Sequence, residues 1–126
     1  MIVDDEDFVA FTLQEGLNKL PHCKVMATTS SMRALHLFKK NRFDLLVTDY
    51  QMPHIDGITL ASHIWHKYSR VPTILITAQG ETIPEKHLEM VPFAYVLNKP
   101  VRLNDVRQAV MQTLREHSQF LAPTQV

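Results

Sequence analysis

Asp4 and Asp5, Asp49, Thr77, and the run Asn98-Lys99-Pro100 each follow a short block of branched apolar residues in a chain of 126. Carboxylates, a hydroxyl and an ammonium are the groups that hold a hard cation and a phosphate. Two or three carboxylates within a few ångströms of one another repel by on the order of a few kcal/mol at an effective dielectric of about 20. A hard divalent cation with oxygen ligands offsets that repulsion. Mg²⁺ commonly sits on one or two carboxylates and keeps sites for water and phosphate. Lys99 then offers a compact positive charge for the remaining phosphoryl oxygens, and Thr77 offers a hydroxyl donor.

For these residues to meet, the apolar blocks ahead of them must lie side by side. Short blocks at Met1–Val3, Cys23–Ala27, Leu45–Thr48, Thr73–Thr77 and Tyr95–Leu97 read as buried strands. Stretches of helical period separate them, at Asp7–Leu20, Ser31–Asn41, Ile58–Tyr68, Pro84–Met90 and Leu103 to about Gln119. Alternation of this kind predicts an α/β fold, a five-stranded parallel sheet doubly wound as (βα)5. In open sheets of that type ligands bind beyond the carboxyl ends of the strands, so all the residues above would face one crevice. Thr82 and Glu85 have the spacing of a capping box ahead of the fourth helix, with Pro84 suited to its first turn.

The length suits one domain, over residues 1–119, with 120–126 as a tail or the start of a linker. Only three residues precede the acidic run in the first strand, which points to an upstream residue or two outside this numbering. Thirteen Lys plus Arg balance thirteen Asp plus Glu, so there is no basic field for direct nucleic-acid binding. A single cysteine, Cys23, precludes an internal disulfide framework, and no apolar run approaches the roughly 20 residues of a membrane helix. A cytoplasmic protein is expected, with no membrane partner. His63 and His66 stand at i and i+3 with His54 upstream, but further ligands of a zinc site are missing from the pattern.

Val3-Asp4-Asp5-Glu6, Asp49-Tyr50-Gln51-Met52-Pro53 followed by Asp56-Gly57, Thr77-Ala78, and Lys99-Pro100 together resemble the response-regulator receiver domain, of the CheY-like superfamily. Each motif alone has an ordinary reading as a helix start, turn, strand end or loop. Their joint occurrence, in order and each after a predicted strand, is what makes the resemblance specific, and it spans nearly the whole chain. It implies a flavodoxin-like receiver fold in which Asp49 is the phosphoacceptor. Asp5, Asp49 and the backbone carbonyl of Gln51 would bind Mg²⁺, Asp4 would act mainly through bound water, and Thr77 and Lys99 would hold the phosphoryl group. A cis Lys99-Pro100 peptide is implied as well. The partners implied are a sensor histidine kinase or histidine phosphotransfer protein upstream and an output domain or target protein downstream. Such a domain is no enzyme in its own right; it assists its own phosphorylation and dephosphorylation.

Two departures from the family stand out. The position three before Lys99, commonly aromatic in similar domains, is Val96, with Tyr95 one residue earlier. Pro92 and Phe93 replace small residues ahead of the last strand. Two other functions compete with the receiver reading. An aspartate-nucleophile phosphatase of the haloacid-dehalogenase type wants a second Asp two residues after the first, where Gln51 stands. A pseudo-receiver that only binds protein partners does not need the full set of Asp5, Asp49, Thr77 and Lys99.

Overall fold

The computed structural model describes the backbone of residues 1–121 and the side chains of residues 1–117. Five strands, β1 (Ile2–Val3), β2 (Ala27–Thr28), β3 (Leu46–Asp49), β4 (Thr73–Thr77) and β5 (Tyr95–Asn98), pair in the order β2-β1-β3-β4-β5. All four pairings are parallel. Helices α1 (Asp7–Asn18), α2 (Ser31–Lys40), α3 (Gly57–Lys67), α4 (Glu85–Leu88) and α5 (Leu103–Leu121) follow the strands in turn.

Side chains alternate across a strand, so each strand feeds two cores. Ile2, Val47, Ile74 and Ile76 point to one face, where Leu13 and Leu17 of α1 and Val106 and Val110 of α5 cover them. Val3 and Leu46 point to the other, against Ala34 and Phe38 of α2 and Leu60 and Ile64 of α3. Each fully buried Ile or Leu contributes about 1.5–3 kcal/mol relative to exposure. Polar caps start two of the covering helices: Ser30 Oγ accepts from the Arg33 N–H at 3.1 Å, and Asp56 Oδ1 from the Thr59 N–H at 2.7 Å.

Most strand and helix bounds fall within two residues of the sequence expectation, and three differences bear on the fold. β2 is Ala27–Thr28 rather than Cys23–Ala27. The Val25 N–H donates to Asn18 Oδ1 at 2.9 Å and its carbonyl accepts from Gln14 Nε2 at 3.1 Å, so side chains of α1 take the groups a ladder would use. α4 is shorter than Pro84–Met90, and the Thr82/Glu85 capping box does not form. Pro84, with φ −55° and ψ 137°, is itself the residue before the first turn, which leaves Thr82 outside the helix. α5 continues to Leu121, past the start of the expected tail at 120, and residues 122–126 lie outside the described residues.

Candidate functional site

β1 and β3 are neighbours, yet the chain leaves them toward opposite faces, into α1 and α3 respectively. Their divergence opens a crevice at the carboxyl edge of the sheet. Asp4 directly follows β1, Asp49 ends β3, Thr77 ends β4, and Lys99 directly follows β5. Carboxylate oxygens of Asp4, Asp5 and Asp49 lie within 4.8 Å of one another, Asp4 and Asp49 buried and Asp5 exposed. Among the described residues this is the one such convergence of three His, Cys, Asp or Glu side chains; the histidines form none.

Lys99 Nζ donates to Asp49 Oδ2 at 3.0 Å and stands 3.8 Å from Asp4 Oδ2. The Lys99 N–H donates to the Thr77 carbonyl at 2.7 Å, and the Lys99-Pro100 peptide is cis. Burial pushes the Asp49 carboxyl up to about 6, the hydrogen bond from Lys99 opposes the rise, and the charges of Asp4 and Asp5 add to it. Asp4 is also raised by burial, against the pull of the Glu6 N–H, which donates to its Oδ1 at 3.0 Å, and of Lys99. At Lys99 burial acts to lower the ammonium, but the Asp49 hydrogen bond and the charges of Asp4, Asp49 and Glu6 outweigh it and raise it. The pair thus favours its ionised form, and the net rise at Asp49 belongs to burial and to crowding by like charge.

Asp4 Oδ2 is buried without a hydrogen-bond partner among the described residues. An orphaned carboxylate oxygen facing two further carboxylates is suited to a cation and poorly served by protein alone. These oxygens therefore fit a hard divalent ion, and Asp4, Asp5 and Asp49 are the side chains that would hold it.

Two features were not drawn from the sequence. The Thr77 hydroxyl donates to Asn98 Oδ1 at 2.9 Å, so at rest it is committed to β5. Asn98 was visible as a strand-end residue, but its pairing with Thr77 depends on the β4–β5 register, Thr77 opposite Asn98. The second is the close approach at Gly57, a residue expected to serve the loop and helix entry: its N–H donates to the Tyr50 carbonyl at 2.6 Å, and a Cβ there would overlap the Asp49 carbonyl. Tyr50 itself is buried, and burial, aided by Asp56 and Glu81, raises its phenol above the ordinary value.

A five-stranded parallel sheet of order 2-1-3-4-5, with a carboxylate-rich crevice at its switch point, defines a flavodoxin-like α/β protein with a cation- and phosphate-compatible site. Residues 1–111 match the family model described as response regulator receiver domain. The chain belongs to that family, the receiver domains of two-component systems. It is 34% identical over 125 residues to the regulatory protein AtoC of Escherichia coli (strain K12), covering 94% of this chain and 25% of that one. Against the uncharacterized transcriptional regulatory protein YrkP of Bacillus subtilis (strain 168) the identity is 27%, over 94% of this chain and 50% of the other. The chain thus spans half or less of these two curated relatives. Among solved structures, the signal receiver domain of an HD domain-containing protein from Pseudomonas fluorescens Pf-5 superposes with a TM-score of 0.81 at 26% identity, over 93% of this chain and 94% of that one.

Proposed function

We propose that Asp49 accepts a phosphoryl group from a sensor histidine kinase or a histidine phosphotransfer protein, and that this cytoplasmic module hands the signal to an output domain or target protein. The observation that carries the reading is the convergence of Asp49 with Lys99 and two further carboxylates in one crevice of a receiver-family fold. With its pKa near 6, Asp49 is mainly ionised at neutral pH and available as a nucleophile. A P–O bond to Asp49 forms as the donor's P–N bond breaks, and the proton needed by the departing imidazole comes from solvent or the donor protein. Lys99 passes from the Asp49 carboxylate to the phosphoryl oxygens, and Thr77 exchanges Asn98 for the same group. Asp4, Asp5, Asp49 and the Gln51 carbonyl would hold Mg²⁺, which when bound neutralises charge on the phosphoryl oxygens. Beyond assisting this transfer and its hydrolysis, the domain has no catalytic task.

Incubation with Mg²⁺ and acetyl phosphate is expected to add one labile phosphoryl group, visible by mass spectrometry, and Asp49→Ala is expected to add none. An adduct of equal stoichiometry on the Ala variant would remove Asp49 from the role. Transmission is expected to run through Thr77 toward the α4-β5-α5 surface. Beryllofluoride should shift the backbone amides of residues 79–83 and α4, and Thr77→Ala should abolish the shifts at residues 79–83 and weaken those of α4 while leaving shifts at Asp49. Shifts confined to the acidic crevice in the wild type would rule this surface out.

A further inference from the structure

α4 is four residues long and none of them is buried. Its hold on the domain comes from a small cluster of Tyr50, Ile58 and Leu75, on which Ile83, Leu88 and Phe93 pack. Tyr50 lies between Asp49 and Gln51 in sequence, the two residues proposed above to engage the phosphoryl group and the cation. Its backbone is fixed on both sides: the N–H donates to the Ile76 carbonyl at 2.8 Å, and the carbonyl accepts from Gly57. At the far end of the ring, the Tyr50 hydroxyl stands 3.4 Å from His87 Nδ1 on α4, within hydrogen-bond reach. The aromatic position of similar domains offers no such bridge here. Val96 is 45% exposed, and Tyr95 points to the opposite face, into the core beneath α5.

We propose that Tyr50 couples the state of the Asp49 site to the position of α4, through its ring packing and its hydroxyl contact with His87, in place of an aromatic on β5. The proposal rests on phosphorylation at Asp49. A phosphoryl group on Asp49 and a ligated Gln51 carbonyl constrain the chain immediately before and after Tyr50. The ring is rigid beyond two torsions, so a change at its backbone reaches its tip undiminished, and packed contacts of this kind have discrete rather than continuous arrangements. At rest the contact with His87 holds α4 on the cluster; when the ring is re-aimed, the contact is lost and α4 moves. Phe93, which stands where similar domains have a small residue, packs on the same cluster and narrows the space into which the ring can turn.

The test compares ¹H-¹⁵N spectra with and without beryllofluoride and Mg²⁺ for the wild type, Tyr50→Phe, His87→Ala and the double variant. Tyr50→Phe keeps the ring, and His87 is on the surface helix, so the fold is preserved. In each single variant the α4 amides are expected to lie near their activated positions already, so that the beryllofluoride-induced shift at residues 83–88 falls below half of the wild-type value. Shifts at Asp49 and Lys99 should persist at full size. The double variant should match either single one, the signature of a shared contact rather than two independent losses, and His87→Asn, which keeps a polar atom near the Nδ1 position, should restore most of the wild-type shift. Full-size α4 shifts in both single variants, or strictly additive effects, would overturn the coupling. If the wild type shows no shift at Asp49 or Lys99, phosphorylation at Asp49 falls, and the coupling falls with it.

Discussion

Asp49→Asn is expected to stabilise the metal-free domain by about 2 kcal/mol at pH 7.5, raising Tm by roughly 8 °C for a chain of this size. Folding raises the Asp49 carboxyl from 3.8 to about 6, so the folded state binds this proton more tightly than the unfolded chain. The sign follows from linkage: below about pH 4 both states are protonated and the site costs nothing, whereas stability is lost as pH rises toward 6, and above 6 the penalty is fully present. Two units correspond to about 3 kcal/mol, which the solvent at the open side of the crevice reduces to about 2. Asparagine keeps the shape and an acceptor for Lys99 without the charge. The gain should therefore vanish below pH 4. Added Mg²⁺ should stabilise the wild type by binding the folded state, by about 2.7 kcal/mol at a hundredfold excess over its Kd, and should stabilise the Asn variant less. Thermal melts at pH 4 and pH 7.5, each with and without millimolar Mg²⁺, measure both effects. A variant that melts with or below the wild type at pH 7.5 would contradict the charge-crowding account.

Gly57→Ala is expected to act in the opposite direction, destabilising the domain by about 2–3 kcal/mol and lowering Tm by roughly 10 °C. Two effects compete. Alanine has the better helix propensity, by about 1 kcal/mol, and Gly57 opens α3. Against that, the new Cβ would overlap the backbone carbonyl of Asp49 and crowd Thr48 Oγ1, 3.1 Å away. Neither can yield cheaply, because Thr48 and Asp49 are central-strand residues and the Thr48 hydroxyl already donates to that same carbonyl at 2.9 Å. Overpacking against backbone therefore outweighs propensity. Chemical denaturation is the direct check, since an unchanged midpoint would show that the β3–α3 loop yields. Because the clash falls on Asp49 itself, a folded fraction of this variant should also take up phosphoryl more slowly than the wild type.

Much of this molecule was written in local pattern. Thr73–Thr77 reads as a strand from five consecutive β-compatible residues and is one in the structure, lying between β3 and β5 and buried on both faces. The alternation of such blocks with helical stretches carries the parallel sheet, and the rule that ligands sit beyond strand ends then brings Asp4, Asp5, Asp49 and Lys99 together without coordinates. Where the reading slipped, the competing contact was distant in sequence or set by geometry. Residues 23–26 have the composition of a strand, but Gln14 and Asn18, a turn and more away on α1, claim the backbone of Val25. Thr82 and Glu85 have capping-box spacing, but the extended backbone at Pro84 starts the helix too late for it.

What the sequence determined by itself is the set of chemical groups and the edge of the sheet on which they gather, because strand periodicity and strand ends are properties of neighbouring residues. Tertiary structure decided how those groups are spent. Register brings the Thr77 hydroxyl to Asn98, close packing makes Gly57 the condition for a straight path from Asp49 into α3, and burial lifts the Asp49 carboxyl toward neutrality. Each depends on distances between residues that are not neighbours in the chain, and such distances are fixed only when two cores close on the sheet together.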